Sequence, residues 1–208
     1  MPTKIEKNQK SELDFRKTVF VTSSQNCSQL PADTNKEIAF IGRSNSGKSS
    51  AINTICDQKH LAKTSSTPGR TRLINLFKVK DDKYIVDLPG YGYAAVPENM
   101  KKEWQRSMTE YLQKRQSLKG IVITMDIRNP LRDHDRLILD WSIAANLPAL
   151  ILLTKADKIG TNAKKEAIAN VSHQLSEFDG TFNVIAFSAL KKIGIEEARK
   201  VLENWYNS

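Results

Sequence analysis

The run Gly42-Arg43-Ser44-Asn45-Ser46-Gly47-Lys48-Ser49-Ser50 constrains this chain more than any other stretch. It fits G-x-x-x-x-G-K-[ST], follows the apolar Ile38-Ala39-Phe40-Ile41 and precedes a segment of helical character. A strand, a glycine loop and a helix in that order build a phosphate cradle, whereas a plain glycine turn would not require the Lys-Ser pair. Gly42 and Gly47 leave room for a phosphate chain, and backbone N–H groups from Ser44 to Ser49 can surround it. The helix beginning near Lys48 adds its positive end, Lys48 reaches the outer phosphates, and Ser49 offers a hydroxyl to Mg²⁺. The motif specifies a nucleoside triphosphate and leaves the base open.

Around this loop the chain alternates between apolar, β-branched runs and amphipathic stretches. Strands are expected at 19–21, 38–41, 73–79, 84–88, 120–125, 149–153 and 183–187, and helices at 98–117, 132–145, 163–178 and 195–206. That order predicts an α/β fold with a largely parallel sheet and helices on both faces. The link Lys80-Asp81-Asp82-Lys83 joins two of the strands as an antiparallel hairpin, so one edge strand is expected to run against the rest. With 208 residues, the expectation is one domain over 18–208 after a flexible lead-in over 1–17.

Three later stretches complete the site. Asp87-Leu88-Pro89-Gly90 ends a strand, where a carboxylate can approach Mg²⁺ and the Gly90 N–H can approach the γ-phosphate. Thr154-Lys155-Ala156-Asp157 follows an apolar run, at the carboxyl end of a strand where α/β sheets hold ligands. Asp157 can accept two hydrogen bonds from guanine, from N1–H and the exocyclic amine; adenine offers no such pair, and the wrong base leaves the carboxylate unpaired. The Lys155 stem can lie over the base, and Phe187-Ser188-Ala189 can turn backbone N–H groups toward the guanine carbonyl.

In this order the motifs resemble the signature set of the Ras-like GTPases, which implies a three-layer P-loop GTPase domain. More closely, GRSNSGKSS, TPGRTRLINLF, DLPGYGYA, MDIRNPL and TKADK resemble the EngB family of bacterial GTP-binding proteins, also called YihA or YsxC, of the TrmE-Era-EngA-EngB group. Such proteins use a threonine in the loop before the hairpin to reach Mg²⁺ and the γ-phosphate. TPGRT holds two, Thr67 and Thr71; the resemblance favours Thr71, with Gly69, Arg70, Thr71, Arg72 and Leu73 lining the nucleotide. It further implies Ser49 and Thr71 as Mg²⁺ ligands, action on an assembling large ribosomal subunit and its RNA, a link to cell division and septation, and a monomer.

Two positions qualify the resemblance. Tyr91 stands after Gly90, where Ras-like enzymes carry the glutamine that orients water, so slow turnover is expected and Tyr91 and Tyr93 are expected to pack or to touch a partner. Asn45 stands where an asparagine in related GTPases helps bind K⁺ beside the phosphates, which would supply charge as an arginine finger does. The catalytic candidates are therefore Lys48, Thr71 and Asn45. Arg70 and Arg72 are rival sources of positive charge.

A net charge of +9 and a pI near 9.5 suit an anionic partner, and the basic residues are dispersed over the chain. The helix expected at 98–117 places Trp104, Met108, Tyr111 and Leu112 on one face as core, and carries Lys102, Arg106 and Lys114 as RNA contacts or a solvated face. No apolar run approaches a membrane span and no secretory signal is visible, so a cytoplasmic protein with reduced Cys27 and Cys56 is expected. His60, His134 and His173 form no metal or triad pattern. Two other readings remain open: a GTP/GDP-sensing module acting on a division protein, and a P-loop nucleotide kinase, which has little use for TKAD followed by FSA.

Overall fold

Strand β2 (Lys36–Gly42) carries the apolar run before the glycine loop, and every residue after Lys36 in it is buried. Continuous burial on both faces is what a central parallel strand requires. The computed structural model describes residues 13–25, 27–63, 73–92 and 98–208. Beside β2 lie β1 (Val19–Ser24), β3 (Ile74–Lys80), β4 (Lys83–Asp87), β5 (Leu118–Asp126), β6 (Ala149–Thr154) and β7 (Phe182–Ala186). They form one sheet in the order β1-β3-β4-β2-β5-β6-β7.

The β2, β4, β5, β6 and β7 strands run parallel, whereas β3 pairs antiparallel with both β4 and β1. The expected antiparallel edge is thus the β3–β4 hairpin, closed through Asp81 and Asp82, with β1 laid outside it. Parallel pairing puts the carboxyl ends of β2, β4, β5, β6 and β7 along one edge. Gly42, Asp87, Asp126, Thr154 and Ala186 end these strands there.

Helices α1 (Lys48–Ile55) and α5 (Ile195–Asn207) cover one face, and α2 (Glu98–Lys114), α3 (Asp133–Ala144) and α4 (Thr161–Leu175) the other. Strand alternation divides the core between them: Ala39 and Ile41 of β2 pack with the second group, Ile38 and Phe40 with the first. Helix α5 buries Ala198, Leu202, Trp205 and Tyr206, the stripe of an amphipathic helix on a sheet. On α2, Met108, Tyr111 and Leu112 are buried and Trp104 half-buried, the expected core face.

The expected lead-in needs correction at its end. Leu13 and Phe15 are buried among core residues of α1 and β2, and Asp14 caps a short turn over Phe15–Lys17. Two large apolar side chains spaced to face inward dock this stretch onto the sheet; residues 1–12 lie outside those described. Cys56 is fully buried after α1, and burial pushes its thiol up to about 11, so it is core rather than reactive.

Candidate functional site

The glycine loop leaves β2 at Gly42 and enters α1 at Lys48. Two left-handed residues turn it, Asn45 at φ 62° and Gly47 at φ 90°. Two of its N–H groups are already committed: Ser44 donates to the Tyr91 carbonyl at 2.8 Å and Ser46 to the Arg43 carbonyl at 2.9 Å. The expected cradle from Ser44 to Ser49 therefore narrows to Asn45, Gly47, Lys48 and Ser49, the last three at the start of α1.

Gly42 serves a different purpose from the one its place in the motif suggests. A Cβ there would lie 2.0 Å from Thr124 Oγ1 and 2.5 Å from Ser46 Oγ. The glycine makes room for the loop's own support, since Ser46 Oγ and Thr124 Oγ1 are hydrogen-bonded at 2.7 Å and both side chains are buried. Thr124 escaped the sequence reading; its signal was a lone hydroxyl inside the apolar run of β5.

Asp87 ends β4 with its carboxylate buried and ion-paired to Lys48 Nζ, while Asn75 Nδ2 stands 3.5 Å from its second oxygen. The chain then stays beside the loop: Leu88 N–H donates to Phe40 and Tyr91 N–H to Gly42, so Pro89 and Gly90 arch over the end of β2. The Tyr91 side chain turns away from this edge. Its hydroxyl donates to the Asp135 carboxylate, and its ring stacks on His134 and meets Trp104. Burial, then the Asp135 charge, raises the phenol well above its usual value. Trp104 Nε1 donates to the Pro89 carbonyl at 3.2 Å, which ties α2 to the same segment.

At the end of β6, Thr154 Oγ1 lies 2.5 Å from the Ser46 carbonyl oxygen and 3.0 Å from that of Met125, clamping the turn to the glycine loop. Lys155 Nζ donates to the Asn45 carbonyl at 2.8 Å and pairs with Asp126 at 3.0 Å. Asp157 accepts from Ser188 Oγ at 2.6 Å, and this bond is the main cause holding its carboxyl below the usual value. Ala156 N–H is used by the Phe187 carbonyl. Of the three N–H groups expected to face the base, Phe187 donates to Leu153 and Ser188 to Ile193. Ala189 remains the donor available to a ligand.

Gly42, Arg43, Ser44, Asn45, Ser46, Gly47, Lys48, Ser49, Leu73, Asp87, Leu88, Pro89, Gly90, Thr154, Lys155, Ala156, Asp157, Phe187, Ser188 and Ala189 lie in described segments, in loops or strand ends along the carboxyl edge and at the foot of β3. Thr67, Gly69, Arg70, Thr71, Arg72 and Tyr93 lie outside the described residues. Away from the edge, the exposed Lys102, Arg106 and Lys114 of α2, with Leu137 and Trp141 of α3, line an open groove of about 670 Å³. Among the described residues no helix is long and apolar enough to cross a membrane.

A family described as 50S ribosome-binding GTPase matches residues 37–155. The chain is 52% identical over 197 residues to a probable GTP-binding protein EngB of Escherichia coli O157:H7, covering 95% of this chain and 94% of that protein. The probable EngB of Shigella boydii serotype 18 is similar to the same degree over the same shares. Its fold is shared by the crystal structure of a probable GTP-binding protein engB, with TM-score 0.65, 23% identity, and 82% and 98% of the two chains covered. Era in complex with MgGDPNP and a 16S ribosomal RNA segment shares it too, with TM-score 0.63, 20% identity, and 82% and 56% covered. A glycine loop between β2 and α1, a carboxylate held by Ser188 after β6, and a match over nearly the whole chain lead to one conclusion: this chain belongs to the EngB family of GTP-binding GTPases.

Proposed function

We propose that this GTPase is a Mg²⁺-dependent switch that docks on the assembling large ribosomal subunit with GTP bound and leaves after hydrolysis to GDP and phosphate. The observation that carries the nucleotide part is the pairing at the carboxyl edge. Ser188 fixes the Asp157 carboxylate while Lys155 ties the same turn to Asn45 of the phosphate loop. A base and its phosphates can then be read by one connected frame. The ribosomal part is supported by the family description, 50S ribosome-binding GTPase, and by a net charge of +9 that suits an RNA surface. A role in division and septation follows if ribosome supply limits growth, and the work is cytoplasmic and done by a monomer.

The residues present fit Mg²⁺. It takes hard oxygen ligands and keeps several waters, so a hydroxyl from Ser49 at the first turn of α1 and the buried Asp87 carboxylate suffice beside phosphate oxygens. When bound, the ion neutralises charge on the β- and γ-phosphates. Thr71 is assigned as the second hydroxyl ligand. Lys48, held here by Asp87, would meet the outer phosphates from the same helix start.

Intrinsic hydrolysis is expected to be slow, because Tyr91 stands after Gly90 in place of a water-orienting glutamine and its hydroxyl is committed to Asp135. Asn45 with K⁺ is our candidate for the missing charge; equal GTPase rates in potassium and sodium, unchanged in Asn45→Ala, would rule it out. The same commitment of Tyr91 favours, as a second reading, a GTP/GDP sensor acting on a division protein with little hydrolysis.

A pull-down of ribosomal particles separates these readings. Wild type should retain large-subunit particles with a non-hydrolysable GTP analogue more than with GDP, in a salt-sensitive way, and Asp157→Asn should require the xanthosine analogue instead. Retention indifferent to nucleotide would overturn the switch; no retention would favour the division-protein reading.

A further inference from the structure

Outside the four nucleotide motifs, one charged group reaches into the site. Asp126 ends β5, in register with Thr154 of β6, and Ile127 N–H donates to the Thr154 carbonyl at 3.0 Å. The next residue of that neighbouring strand, Lys155, has a left-handed backbone at φ 57°, a conformation that a long side chain rarely adopts unless its surroundings hold it. Its ammonium lies 3.0 Å from Asp126 Oδ2 and 2.8 Å from the Asn45 carbonyl. Asn45 is left-handed as well. One lysine thus joins two unusual backbone positions, one in the base-reading turn and one in the phosphate loop.

The carboxylate is itself aimed. Arg128 grips it with Nε at 2.9 Å and Nη2 at 2.6 Å, and the Arg128 N–H bonds it at 3.1 Å. Those contacts, with Lys155, hold its pKa well below the usual carboxylate range, so it stays charged. We infer that Asp126 is a positioning residue for guanine-nucleotide binding: it holds Lys155 against Asn45, so the base-reading turn and the phosphate loop assemble before ligand arrives. Without it the ammonium would keep one neutral acceptor, and the flexible four-carbon stem would have to be ordered at the moment of binding. The pair is partly exposed, and such ion pairs contribute little to global stability, so its effect belongs in ligand residence time.

The inference rests on the guanine-nucleotide reading of this edge and is tested with the same protein. Dissociation of fluorescent mant-GDP is followed by stopped flow in wild type, Asp126→Asn, Lys155→Met and the double variant. Asn at 126 keeps one oxygen for the Arg128 N–H and Nε–H, and puts an amide NH2, a donor, where Oδ2 meets Lys155 and Arg128 Nη2, so charge and acceptor toward Lys155 are lost together. Asp126→Asn should speed release about ten-fold in the wild-type background, as loss of a charge-assisted bond implies, and less than about two-fold when Lys155 is already Met. Its melting temperature should stay within about 2 °C of wild type. No acceleration in the wild-type background would overturn the inference, and so would equal acceleration in both backgrounds, which would mean that Asp126 acts without Lys155. Failure of wild type to bind mant-GDP would overturn the nucleotide reading itself, and this inference with it.

Discussion

The hydroxyl of Tyr91 donates to the carboxylate of Asp135, and both residues are almost wholly withdrawn from solvent, at 2% and 3% exposure. Asp135 also accepts from the Arg132 N–H at 2.9 Å as part of the cap of α3. The residue after Gly90 is thereby tied to the first turn of α3. The chain after β4 is pinned at Tyr91, and the first left-handed position beyond it is Gly92 at φ 77°.

Tyr91→Phe should therefore weaken the fold more than the chemistry. Removing the donor leaves a buried carboxylate short of a partner, at a cost of about 1–3 kcal/mol in urea unfolding. GTP hydrolysis per bound nucleotide should change less than about three-fold, since the hydroxyl does not face the phosphates. A larger loss of rate with unchanged stability would place Tyr91 in the chemistry.

Ser188→Ala should weaken guanine nucleotide binding by roughly three- to ten-fold, the range expected for one hydrogen bond of ordinary strength that acts on the ligand only through Asp157. Ser188 is also the main cause holding the Asp157 pKa below its usual value, so the wild-type carboxylate stays ionised as pH falls below its ordinary range. In the variant, GDP affinity should begin to fail at a higher pH on the acid side. Titrating affinity against pH for both proteins checks the direction; identical acid limbs would dissociate Ser188 from Asp157.

Gly42→Ala tests the packing account of the first motif glycine. The added Cβ would press on Thr124 Oγ1 and stand 2.9 Å from the Thr124 carbonyl, which is backbone and cannot swing aside. Overpacking of this kind costs about 1–3 kcal/mol. The loss should show in urea unfolding without nucleotide present, whereas a glycine needed only for phosphate approach would leave that curve unchanged.

Alkaline conditions should expose the buried phenols. Tyr91, Tyr111 and Tyr206 are pushed well above the usual value, first by burial and then by neighbours: Asp135 for Tyr91, Glu37 for Tyr111, Cys56 for Tyr206. Folded values above the unfolded one mean that the stabilisation is whole below about pH 10 and is lost as pH rises beyond it, because the unfolded chain ionises first. Melting temperature should fall from about pH 10 upward, with phenolate absorbance from these residues appearing only as the chain unfolds. Complete phenolate titration near pH 10 in folded protein would contradict the burial.

Charge reversal on α2, Lys102→Glu with Arg106→Glu, should cut retention of large-subunit particles several-fold and flatten its salt dependence, as expected for lost phosphate contacts. Both side chains are exposed, so mant-GDP affinity should be unchanged. Equal retention would mark this face as solvated surface and move the RNA contacts elsewhere.

Much of this was legible along the chain because it is written in local patterns. Strand β2, the glycine loop and α1 follow from an apolar run, two glycines and a Lys-Ser pair, and the amphipathic or buried stretches that follow have the periods of their elements. TKAD and FSA indicated the base because Asp157 needs only to sit at the end of a strand, and the pattern of β6 puts it there. These features depend on neighbours within a few residues, which sequence order specifies directly.

What tertiary structure alone decided lies in contacts between residues far apart in the chain. Thr124 and Ser46 are 78 residues apart, Tyr91 and Asp135 44, and Lys155 and Asn45 110. No periodicity encodes such pairs; they arise when parallel strands bring their carboxyl ends to one edge and each loop must satisfy its polar atoms there. Thus the sequence by itself pointed to a guanine nucleotide and to the motifs proposed to hold it. Packing determined which N–H groups remain for it, why Gly42 must be small, that Leu13 and Phe15 belong to the core, and that Tyr91 faces α3.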